Sequence, residues 1–150
     1  MKKYSESYCL AILIANLKHR NRYPDPITIA DCARSLYEIY GSYEKIAKMV
    51  GVNATVIRKW VKLSNAPATI RDFVKEGKMY PVAAFAILSA SAFPDDNKRT
   101  EFAAEVVGWG EPEIVRLIRY VKKNPSLSIS ECKNLLIAEA MNKMLDNQKP

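Results

Sequence analysis

The residues with the clearest chemical potential lie between Asn53 and Lys62. Asn53, Ala54, Thr55, Arg58, Lys59 and Lys62 recur at the spacing that puts them along one face of a helix. Arg58 and Lys59 can donate to guanine O6 and N7 or to phosphates. Asn53 can pair with adenine or a phosphate, and Thr55 can hydrogen-bond or touch a thymine methyl. Ala54 allows close approach. Which of them read bases and which only position the helix is left open by the sequence. Lys45, Lys48, Arg71, Lys75 and Lys78 flank this face as candidates for contacts to a phosphate backbone. Each neutralised phosphate adds ~0.9 to the magnitude of the salt slope.

Other chemistries have little to work with. His19 is the single histidine, between Lys18 and Arg20, so a two-histidine metal site is excluded and a Ser-His or Cys-His enzyme would depend on that residue alone. Cys9, Cys32 and Cys132 are an odd number, far apart, with no Cys-x-x-Cys, and each sits in an apolar helical stretch. They are expected as core thiols in a reducing compartment. Phosphate-cradling glycine loops are missing, because Gly108-Trp109-Gly110 is too short and reads as a turn. No cofactor, no metal and no enzymatic activity are expected.

The elements that position the basic face are helical. Asp25 caps a helix with Pro26 at its first position, running to Tyr40 and ended by Gly41. Ile29, Cys32, Leu36 and Ile39 mark its buried stripe. Ser42 caps a short helix to Val50, Gly51 breaks it, and Asn53 caps the next, to about Leu63. This pair meets the demands of a helix-turn-helix. Ala47 is small where the helices cross, Gly51 tolerates positive φ, and Ile46, Val50, Val52, Ile57 and Trp60 are apolar where packing requires it. The second helix would lie in the major groove of duplex DNA.

Upstream, a helix from about Ser5 to His19 is apolar nearly all round at Cys9 to Ala15. Lys2 and Lys3 precede it, but Glu6 and the absence of a small-x-small site argue against a signal peptide. Downstream, Pro67 opens a helix closed by Gly77, and Pro81 opens an uncharged helix to about Ala92. Asp95 or Asp96 caps a helix to Val107, and Pro112 starts an amphipathic helix to about Lys123. Ser128 with Glu131 forms a capping box for the last helix, to about Leu145, with Cys132, Leu136, Met141 and Met144 on its apolar side. The uncharged run from Met79 to Pro94 is too short to span a membrane. The expected fold is all-α, about nine short helices without a sheet.

Length and charge fit this reading. The 150 residues suit one domain, or one domain with a small appendage. Net charge is +7, and residues 41–80 hold 8 basic against 3 acidic side chains, while residues 81–150 hold 9 of each. A positive field focused on the middle of the chain attracts a polyanion or an acidic partner.

The run YEKIAKMVGVNATVIRKWVKLSNAPATIRDFVKEGKMYPVAAFAIL resembles the DNA-binding domain of ParB-type plasmid and chromosome partition proteins. In that family a helix-turn-helix leads to a Leu-Pro-type link, a helix ending in Glu-Gly-Lys, and an Ala-rich helix. Here these fall on Ala66-Pro67, Glu76-Gly77-Lys78 and Val82 to Leu88, and Ile14 to Asn16, Leu17, Arg20 and Asp25-Pro26 resemble the lead-in. The similarity covers about residues 10–95. The upstream Gly-Glu-Arg-Arg nucleotide-binding motif of the family is absent, so nucleotide binding is not implied.

The resemblance implies a ParB/KorB-like core over residues 1–94. Residues 95–150 form a helical extension, packed on the core or used for oligomerisation. It also implies double-stranded DNA, a homodimer and a partition ATPase or other protein as partners, and a cytoplasmic, nucleoid- or plasmid-associated place. The expected function is sequence-specific DNA binding in a partition (centromere-binding) or transcription-regulatory role. The alternative is a non-enzymatic protein-interaction module whose basic face takes an acidic partner. The helix over Glu111 to Lys123 carries Arg116, Arg119 and Lys123 opposite its apolar side, as a second candidate phosphate face or as a solvated surface.

Overall fold

A computed structural model describes residues 4–19 and 25–148. Lys2, Lys3 and Arg20 lie outside the described residues. Among those described, nine α-helices and one π-helical turn occur, and no strand. No helix among them is long and apolar enough to cross a membrane.

Each helix starts where a local signal tells it to. Ser5 caps α1 (Glu6–Leu13). The chain then widens into a π-helical turn over Ile14–Lys18, closed by the His19 N–H donating to the Ile14 carbonyl at 3.2 Å. The Asp25 carboxylate accepts from the Ile27 and Thr28 N–H groups at 2.9 and 3.1 Å, and Pro26 opens α2 (Pro26–Tyr40). These bonds satisfy donors that the helix itself leaves orphaned. Ser42 caps α3 (Tyr43–Val50) and Asn53 caps α4 (Ala54–Ser64). Then follow α5 (Ala68–Lys75), α6 (Pro81–Ser89), α7 (Asp96–Glu105), α8 (Glu111–Lys123) and α9 (Ile129–Asn147). Asp95 caps α7, and Ser128 Oγ accepts from the Glu131 N–H to start α9.

The buried side chains form two clusters. Cys9 and Leu13 of α1, Cys32 and Leu36 of α2, Ile46 and Val50 of α3, and Ile57 and Val61 of α4 make the first. The second joins Ile27, Ala30 and Leu63 to Ile70, Ala83, Ile87, Phe102, Ile114, Leu117 and Cys132 from α5 through α9. Trp60 touches both, and its ring meets Phe85 edge-on at 5.1 Å. Phe93, just past α6, packs on Phe102 of α7 at 4.6 Å. Burying each such Leu, Ile or Phe favours folding by about 1.5–3 kcal/mol. The helices after residue 94 therefore share a core with those before it.

Several expectations need correction. Pro67 stands at the cap position and α5 begins at Ala68. Helix α6 stops at Ser89, because Ala90 turns extended so that Phe93 reaches its partner. Helix α7 stops at Glu105, with Val106 folded into the core and the Gly108 N–H donating to the Lys78 carbonyl at 3.1 Å. Ile39, expected on the buried stripe, is 53% exposed. The last turn of α2 is met on its Tyr40 side instead, where the hydroxyl donates to Glu6 and the ring carries Lys45. Met141 and Met144 are exposed, while Cys132 and Leu136 lie on the core side.

Candidate nucleic-acid interface

The α3–α4 pair is built around one carbonyl. The Gly51 and Val52 N–H groups both donate to the Ala47 oxygen, at 2.7 and 3.0 Å. Gly51 has φ 89°, a left-handed backbone that lets the chain leave α3 and enter α4 within three residues. Ala47 is buried at the crossing, with Ile46, Val50, Ile57 and Val61 beneath it. Val52 and Trp60, expected at packed positions, are half-buried and pack against this cluster.

With Ile57 and Val61 turned inward, the opposite side of α4 must face out. Thr55, Arg58, Lys59 and Lys62 are all exposed along it, and Ala54 is half-buried. Asn53 is exposed, but its Oδ1 accepts from the Thr55 N–H at 3.1 Å. The cap holds that oxygen toward the helix start and uses one of its two acceptor sites, while the amide N–H donors stay exposed.

Arg58 is not a free-swinging cation. Its guanidinium lies 5.2 Å from the centre of the Tyr43 ring, and Tyr43 in turn stacks on Tyr37 of α2 at 4.4 Å and 15°. Burial and the stacked Tyr37 push the Tyr43 hydroxyl above its ordinary pKa, against the opposing pull of Arg58. Lys45 lies 4.9 Å from the centre of the Tyr40 ring. Two of the cations are thus held over aromatic faces contributed by α2 and α3.

The flanking cations divide into two groups. Lys45, Lys48, Lys75 and Lys78 are exposed. Lys78 pairs with Glu76 at 3.0 Å, an exposed contact worth little in stability and readily exchanged. Arg71 is different. It donates to both oxygens of Asp31 at 3.3 Å and to the Ser64 carbonyl, and Ser64 Oγ donates to Asp31 at 2.7 Å. Expected as a backbone contact, its guanidinium is instead engaged inside the fold, tying α2 to the end of α4.

One cation at this surface escaped sequence reasoning. Lys18, in the π-helical turn, lies across Gly51, and a Cβ there would sit 3.1 Å from its Cδ and 3.2 Å from its Nζ. No local pattern marks it, because the contact joins segments distant in sequence.

Among the described residues no group of three or more His, Cys, Asp or Glu side chains is placed to hold a metal ion. Against known proteins, no family model, no curated protein and no solved structure matches this chain.

Proposed function

We propose that the chain is a sequence-specific duplex DNA-binding protein whose α3 and α4 act as a helix-turn-helix. In this reading α4 enters the major groove. The observation that carries it is the exposed Thr55–Arg58–Lys59–Lys62 face on a helix anchored from behind by Ile57 and Val61. Arg58, oriented by Tyr43, and Lys59 address base edges or the nearest phosphates. Lys18, Lys45, Lys48, Lys62, Lys75 and Lys78 supply backbone contacts, and Asn53 donates its amide to a phosphate. The order of elements after α4, from Ala66-Pro67 to the uncharged α6, supports a partition or transcription-regulatory role through its resemblance to ParB-type proteins.

Selection from a pool of random duplexes at about physiological salt, where non-specific binding is already weak, tests the reading. Enrichment of a motif, lost in Arg58→Ala with Lys59→Ala, is the expected result. Recovery of DNA without any motif removes the claim of specificity. No recovery overturns the reading and turns attention to an acidic protein as the partner of the basic face.

A further inference from the structure

Between α8 and α9 runs an open groove of about 860 Å³. That volume lies within the roughly 300–1,000 Å³ of sites that take one organic molecule. Trp109, Tyr120, Leu136, Ile137 and Ala140 give it an apolar lining. Trp109 is fixed in place. Its backbone N–H donates to the Val106 carbonyl at 3.0 Å, and Lys133, paired with Glu105 at 3.3 Å, lies 5.7 Å from the centre of its ring. Charged side chains border the same groove. Both of its carboxylates are engaged within the chain. The Tyr120 hydroxyl donates to Glu139. Glu113 folds back over the start of α8, where a Cβ on Gly110 would lie 2.7 Å from its Oε2. The free N–H groups of a helix start favour a negative charge there. Arg116, Arg119, Lys123 and Lys143 are exposed at the groove, and none of them is ion-paired among the described residues. Four cations against two engaged carboxylates leave the groove positive beside an apolar wall.

We propose that this groove is a binding site for a small aromatic carboxylate, its ring on the Trp109 and Tyr120 side and its carboxylate on Arg116 and Arg119. Arg116 and Arg119 stand three residues apart on α8, so they share one side of the helix. A guanidinium matches a carboxylate edge-on, with two parallel N–H donors. The anchored indole offers an aromatic surface on which a flat ring stacks with an offset. The acids decide between anions. Glu113 and Glu139 stay in the groove and repel a dianionic phosphate more than a carboxylate with a single charge. The extent of the apolar lining decides between a small molecule and a protein. Five side chains fall well short of the ~800 Å² per partner that a stable protein interface buries, whereas they suffice to cover one ring system. Met141, Met144 and Leu145, the exposed apolar residues farther along α9, do not line the groove.

The inference stands apart from the DNA reading and is tested without DNA. The probe is 2-naphthoate, titrated into the full chain labelled with nitrogen-15 and followed by NMR. Trp60 and Trp109 are the only tryptophans, so two indole N–H signals report, and Trp109→Phe tells them apart. The Trp109 signal should shift and saturate at one naphthoate per chain, with Kd on the order of 1 mM or below, as befits so small a ligand. The Trp60 signal, from a ring packed against Phe85, should stay in place. The uncharged 2-naphthamide should bind at least ~10-fold more weakly, because it forfeits the charge-assisted contact. Arg116→Gln with Arg119→Gln should weaken naphthoate to the same degree and leave naphthamide unaffected. Both arginines are exposed, so circular dichroism and the melting curve should not change. A Trp109 signal unmoved at ~10 mM naphthoate overturns the proposal. So does equal binding of acid and amide, or an arginine variant that binds naphthoate as the natural chain does. A Trp109 signal that moves with protein concentration alone, and no further on adding naphthoate, also overturns it and gives the groove to a second copy.

Discussion

Arg71 grips Asp31 with both ends of its guanidinium, each at 3.3 Å, across forty residues of chain. Asp31 is nearly fully buried and also accepts from Ser64 Oγ, while Arg71 donates to the carbonyl of that same serine. Since Ser64 is the last residue of α4, this polar knot fixes the exit of the proposed recognition helix against α2 and α5. Removing the cation leaves a buried carboxylate with one hydroxyl partner. Arg71→Ala is therefore expected to cost about 3 kcal/mol in urea denaturation. Asp31→Ala with Arg71→Ala should be less than additive by about 1–3 kcal/mol. A stable Arg71→Ala protein with a reduced salt slope on DNA would instead make Arg71 a phosphate contact.

That knot marks the boundary of what the sequence reveals here. Caps and breaks are decided within about four residues, so Asp25-Pro26, Gly41, Ser42, Asn53, Asp95 and Ser128 announce their helices and the structure has them at those ends. The face that α4 turns outward was legible for the same reason, since Ile57 and Val61 leave one polar side. Contacts between distant segments carry no such signal. Neither the pairing of Arg71 with Asp31 nor the lie of Lys18 over Gly51 follows from spacing. Periodicity likewise marks Ile39, Met141 and Met144 as apolar-face residues, but only the placement of the neighbouring helices decides whether anything covers them.

Gly51 offers a way to separate folding from contact. Gly41 and Gly51 both end a helix with positive φ, 65° and 89°. An alanine at either strains the backbone by roughly 1–2 kcal/mol. They differ in what a side chain would meet, with nothing within 4 Å at Gly41 but the end of Lys18 at Gly51. The flexible lysine can move, so Gly41→Ala and Gly51→Ala should lower stability by similar amounts in thermal melts. Gly51→Ala should also displace the ammonium. If Lys18 touches a phosphate, Lys18→Ala should lower the salt slope on duplex DNA by ~0.9, with stability nearly unchanged. An unchanged slope would remove Lys18 from the proposed interface.

The Tyr37–Tyr43–Arg58 stack yields a prediction about orientation rather than charge. Tyr43→Ala keeps every cation on the surface but removes the ring under Arg58. Specific binding should then fall while the salt slope changes little, because the same phosphates are neutralised. Arg58→Ala should weaken selected sites more than random duplex, by about 1–3 kcal/mol if its contact is bidentate to a base. Fluorescence anisotropy titrations of both variants at several salt concentrations would read this. Equal losses on selected and random duplexes would make Arg58 a backbone contact.

The three thiols give the fold a signature at alkaline pH. Cys9, Cys32 and Cys132 are wholly buried, and burial pushes each thiol above its ordinary pKa. For Cys32 the neighbouring Cys9 and Asp31 add to the rise, and for Cys132 Glu131 does. In the unfolded chain these thiols ionise near the usual ~8.5. Below that pH both states hold the protons and stability is indifferent to them. As pH rises further the unfolded state gives up protons that the native state keeps, so unfolding becomes easier. One pH unit above the unfolded pKa, each thiol that stays protonated in the fold costs about 1.4 kcal/mol. Urea denaturation under reducing conditions should therefore show a level free energy from pH 7 to 8 and a clear fall by about pH 9.5. Cys132→Ala should make that fall shallower by one thiol's share. A free energy unchanged over the range would mean that the native thiols ionise as readily as those of the unfolded chain, which their burial opposes.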